Sequence, residues 1–127
     1  MTSDDFLPLF GAWRDVLWPE FGEHDGCVFF RKMDSAGETV YQDWMAQTGG
    51  DRRRVEAVMN HHHIADLIGG VVEPPSRDVV LAVGRLLREL WTAKLSRDFP
   101  DRKFVVSFPE DHSDDVIDYE ITFYQAI

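Results

Sequence analysis

The 127-residue chain has one cysteine, only 13 Lys and Arg against 23 Asp and Glu, and no apolar run near the roughly 20 residues that span a bilayer. Each scarcity removes a class of protein. A lone Cys27 cannot form an internal bridge, so the fold does not rest on disulfides, and a reducing, cytoplasmic setting is expected. The opening "MTSDDFLPLF" carries acids where an export signal carries Lys or Arg, so neither secretion nor membrane insertion is expected. The formal charge of −10 repels phosphate backbones and anionic headgroups, which disfavours nucleic acid and membrane and favours a basic protein partner.

Reactive motifs are scarce as well. The glycine pairs at 49–50 and 69–70 lack the GxxxxGK[ST] and GxGxxG spacings that cradle phosphates, and no serine sits in a GxSxG elbow. No HExxH or CxxC accompanies the histidines. This leans the reading away from an enzyme.

What is present suits one folded domain over 1–127, because 44% hydrophobic residues, with Trp13, Trp18, Trp44 and Trp91 among them, supply a core at this length. Phe6, Leu9, Phe10, Trp13, Val16 and Leu17 recur at helical spacing, with Ser3 or Asp4 as the expected cap and Pro8 in the first turn. "GCVFFRKM" and "ETVYQDWM" are β-rich runs flanking "DSAGE", and so predict a hairpin.

"DRRRVEAVMN" predicts a short helix capped by Asp51. The apolar face then switches across "HHH", which predicts an elbow, with Asn60 as C-cap or N-cap and Gly69 and Gly70 ending the next helix. The longest helical stripe runs from Val79 to Leu95, started by Pro75, Ser76 and Asp78 and stopped by Phe99-Pro100, with Gly84 at its edge. "KFVVSF" and "VIDYEITFYQ" predict a last hairpin, wet on one face. The expected fold is α+β, two antiparallel hairpins forming a four-stranded sheet covered by helices, in the order α-β-β-α-α-α-β-β.

The candidate chemistry centres on "MNHHHIADLIGG". Imidazole is the commonest transition-metal ligand, and spacings of three or four share a helix face, so His62 with Asp66 is the first metal pair to consider. His61, His63 and Glu56 are further candidates, with His24 and His112 as loop partners that could close on them. Against this stands the plain reading of a polar elbow, with His62 turned toward the core and His61 and His63 splayed to either side.

Glu110, Asp111, Asp114, Asp115, Asp118 and Glu120 form an acidic patch without the EF-hand spacing. It suits a solvated loop that protects a sheet edge, or a surface for a basic partner. Arg52, Arg53 and Arg54 sit at a helix start, where the dipole disfavours cations, which hints at an external use such as an anionic ligand or intersubunit pairing, against the plain reading of a solvated surface.

Two functions follow as expectations. The first is a non-catalytic interaction or regulatory module, of the immunity or antitoxin kind, holding a basic partner and needing no cofactor. The second is a metal or small-molecule site, with hydrolysis as one use of it, built on His61, His62 and His63 with a divalent ion. A homodimer through a sheet edge or the long helix fits either.

Overall fold

The computed structural model describes residues 1–69, 74–111 and 115–126. Thr2 opens helix α1 (Ser3–Leu17) with a capping box, its hydroxyl accepting from Asp5 N–H while the Asp5 carboxylate accepts from Thr2 N–H. The helix thus starts earlier than its Pro8 suggests, and the proline sits past the first turn, where one backbone bond is lost. Trp91 Nε1 donates to the Val16 carbonyl at 2.7 Å and ties down the C-terminal half of the helix. At the other end Phe6, Leu7 and Phe10 remain exposed.

The first hairpin is not the expected one. Strands β1 (Gly22–His24) and β2 (Cys27–Phe29) pair antiparallel across Asp25-Gly26, with His24 opposite Cys27. Both turn residues have positive φ, 52° and 82°, the backbone of a tight two-residue turn whose twist matches the strands. "ETVYQDWM", read as a strand, lies instead in helix α2 (Ser35–Thr48). Asp34 caps that helix through the Gly37 N–H at 2.7 Å, and Gly49 ends it in the left-handed conformation. Tyr41, Trp44 and Met45 lie at helical spacing against Cys27, Phe29 and Val55, so burial of a helical stripe overrides the β-propensity of the run.

Helix α3 (Arg52–Met59) ends at Asn60. The elbow then contains a two-residue strand, β3 (His62–His63), before helix α4 (Ile64–Ile68). Ser76 caps the long helix α5 (Arg77–Asp98). Strand β4 (Phe104–Ser107) pairs with β5 (Glu120–Gln125), as the closing hairpin requires, after a 3-10 turn at Val116–Asp118. Gly70, expected to end the second helix, lies outside the described residues.

The class is α+β, but the four-stranded single sheet is replaced by a pair β1-β2 and a sheet ordered β3-β5-β4. The missing ladder between them is supplied by side chains from α3. Asn60 Oδ1 accepts from Phe30 N–H at 2.9 Å, while its Nδ2 donates to the carbonyls of Val28 and Phe123. Of the two roles expected of it, Asn60 takes that of C-cap to α3, with a right-handed rather than a left-handed backbone, and His63 is the N-cap of α4. Glu56 Oε2 accepts from Val28 N–H at 2.7 Å, and Oε1 accepts from Gln125 N–H at 2.9 Å. Both side chains are fully buried and hydrogen-bonded, as polar groups in a core must be. The main core packs α5, through Val80, Leu87, Trp91 and Leu95, against β5 and α4.

Candidate metal centre

The site begins with the register of β3 on β5. His63 lies opposite Glu120 and His62 opposite Ile121, so His63 and Glu120 share one sheet face. Side chains alternate along an extended segment, which places His61 with His63 and sends His62 the other way.

His62 does turn inward. Its ring packs 4.5 Å from Phe30 and 6.1 Å from Trp91, and its Nδ1 is 3.0 Å from the Asn60 carbonyl. Burial pushes its pKa below the ordinary histidine range, with Arg31 and His61 adding to the effect and the Asn60 contact opposing it. His61 and His63 are not splayed apart: their rings meet edge to face with centroids 5.0 Å apart.

Glu120 joins them. Its Oε2 contacts His61 Nε2 directly and lies 3.7 Å from His63 Nε2. These three donor atoms all lie within 4.8 Å of one another, and the side chains are 40%, 37% and 39% exposed, open to an ion from solvent. On the far side of its ring, His63 Nδ1 is 2.6 Å from the Ile117 carbonyl. A carbonyl only accepts, so Nδ1 carries a proton and Nε2 is the nitrogen left to face an ion, the kind of second contact by which metal-binding histidines are oriented.

A tetrahedral ion with ligands about 2.1 Å away separates its donors by about 3.4 Å, which modest side-chain rotations reach from here. Two imidazoles and one carboxylate suit zinc or a similar transition ion better than calcium, which prefers a larger set of oxygens.

The centre heads a groove of about 470 Å³ lined by Arg54, Ala57, Val58, His61, Ser107, Pro109, Glu120 and Thr122. Thr122 already donates its hydroxyl to the Ala57 carbonyl. Among the described residues Glu120 is the only carboxylate in this lining, so once it holds an ion no second described carboxylate there is left as general base.

The other expected site residues lie elsewhere. Glu56 is committed to joining the strands, and Asp66 is exposed on α4, outside the His61, His63 and Glu120 group. His24 Nε2 pairs with Glu38 at 2.5 Å and its ring stands on Tyr41, in the first hairpin. His112 and Asp114 lie outside the described residues. Of the acidic patch, Glu110 is held by Arg85 and Arg88, Asp115 caps the 3-10 turn, and Glu120 faces the histidines. Asp111 and Asp118 form no ion pair among the described residues. Cys27 is fully buried, and burial and then Glu56 raise its thiol pKa, which makes it a packing residue rather than a nucleophile.

Comparison with protein-family models, curated proteins and solved structures found no match. The geometry stands alone.

No helix among the described residues is long and apolar enough to cross a membrane.

Proposed function

We propose that the protein binds a divalent transition-metal ion, zinc being the best fit, through His61 Nε2, His63 Nε2 and a Glu120 carboxylate oxygen. The observation that carries this reading is the convergence of the three donors within 4.8 Å, with the Ile117 carbonyl holding His63 in the metal-ready tautomer. Three protein ligands leave a fourth position open to water or a ligand, the pattern of reactive rather than structural zinc.

Dialysis against zinc followed by elemental analysis tests it. The wild-type chain retains one ion, and the His61→Ala/His63→Ala double variant, judged folded by circular dichroism, retains none. A wild-type chain that emerges without zinc, or a double variant that keeps it, refutes the reading.

A second reading, a non-catalytic module that recognises a basic protein in the manner of an immunity protein or antitoxin, is supported by the formal charge of −10. It predicts a partner whose retention falls steeply with salt, and a pull-down at low ionic strength that recovers nothing counts against it. Self-association finds support in the exposed Phe6, Leu7 and Phe10 of α1, and light scattering at the monomer mass refutes it.

A further inference from the structure

We infer that the groove binds an elongated apolar molecule with a carboxylate at each end, one on the metal and the other on Arg54; this rests on the metal reading above. Arg54, Ala57 and Val58 follow one another at helical spacing on α3, and His61 stands just past the end of that helix, so the four line the groove from the start of α3 to the metal centre. Five residues at 1.5 Å each put Arg54 about 8 Å from the end of α3 at Met59, and His61 lies beyond that end. Between the two ends the lining offers Ala57, Val58 and Pro109 as apolar contacts. A volume of about 470 Å³ lies within the usual range for small-molecule sites.

The charges fix the chemistry of the ends. Arg85, Arg88 and Arg102 all face carboxylates, whereas Arg54 forms no ion pair among the described residues, although the chain as a whole is rich in acid. Its neighbours in the arginine run are engaged otherwise: Arg53 lies over the Tyr124 ring at 4.8 Å, and an Arg52 nitrogen reaches within 2.9 Å of where a Gly26 Cβ would stand. Of the three, Arg54 is the one that lines the groove, and a guanidinium matches a carboxylate in a two-point contact.

At the opposite end Glu120 repels an anion while the centre is empty. A divalent ion reverses that sign and supplies an open coordination position. Dicarboxylate binding therefore depends on the metal, and by linkage the dicarboxylate tightens the metal in return.

Calorimetric titration of the zinc-loaded protein with azelate and with nonanoate tests the inference, since the two probes share a chain length and differ by one carboxylate. Zinc content is measured first in every sample. The expected result is azelate binding about tenfold tighter than nonanoate, the contribution of one charge-assisted contact, with the preference lost in Arg54→Gln and partly kept in Arg54→Lys. Equal affinities, no binding of either acid to a zinc-loaded protein, or a preference that survives Arg54→Gln would overturn the dicarboxylate assignment and leave the metal site standing. A wild-type protein that takes up no zinc overturns both.

Discussion

Glu56 on α3 and Asn60 at its C-cap stand one turn apart and replace a strand ladder with side-chain atoms. Glu56 alone accepts from Val28 N–H, Gln125 N–H and Gln125 Nε2. Removing its carboxylate strands buried donors, each costing about 1–3 kcal/mol, so Glu56→Ala should destabilise the fold by about 3 kcal/mol or more in urea denaturation. Glu56→Gln keeps the volume but turns an amide NH₂ toward a donor, and should still cost about 1–3 kcal/mol. A neutral Glu56→Gln would mean the carboxylate is filler.

At this scale the sequence was half legible. The switch in apolar face across the triplet implied that one histidine turns inward, and His62 does. The pairing of His61 and His63 with Glu120 was not readable, because it depends on a two-residue strand too short to leave a periodic signal. Glu56 was weighed as a ligand since burial cannot be seen in a lone carboxylate.

Among the elements, α5 was plain from its period of 3.6 and β5 from its period of 2, although the alternation read from Ile117 begins in a 3-10 turn where Ile117 is exposed. The first hairpin was legible but misread. Asp25-Gly26 is the stronger turn signal, whereas "DSAGE" begins with Asp34, a helix cap whose Gly37 N–H it binds.

Gly84 lies on α5 where an added Cβ would come 2.1 to 2.5 Å from three Phe108 ring carbons. Alanine improves helix propensity by about 1 kcal/mol but overpacks by about 1–3 kcal/mol, so Gly84→Ala should be destabilising on balance. In a Phe108→Ala background the obstruction is gone and the same change should stabilise by about 0.5–1 kcal/mol. Thermal melts of the four proteins decide it: the same sign in both backgrounds would place the effect outside this contact.

The Glu110 loop docks on the same helix through Arg85 and Arg88. Hydrogen bonds from Arg85 and then Arg88 hold the Glu110 carboxyl below its usual range. A depressed carboxylate pKa contributes stability above the unfolded value, and that contribution disappears as pH falls through the folded one. The melting difference between wild type and Glu110→Gln should therefore be present at neutral pH and vanish in acid. As the pair is exposed the difference should also shrink with salt.

For the whole molecule, charge and composition set limits on partners but could not locate a site. The groove arises where α3 with the elbow that follows it meets the β4-β5 hairpin, two stretches distant in sequence. If that meeting point holds zinc, the ion binds the folded state and should raise stability by about 2.7 kcal/mol at a hundredfold excess over its dissociation constant. EDTA should reverse the gain.

The most direct measurement follows the imidazole ¹⁵N resonances through a zinc titration. The account predicts that one equivalent shifts Nε2 of His61 and His63 together while both nitrogens of His62 stay in place. Nitrogens of His62 that respond, or none that respond at all, would contradict it.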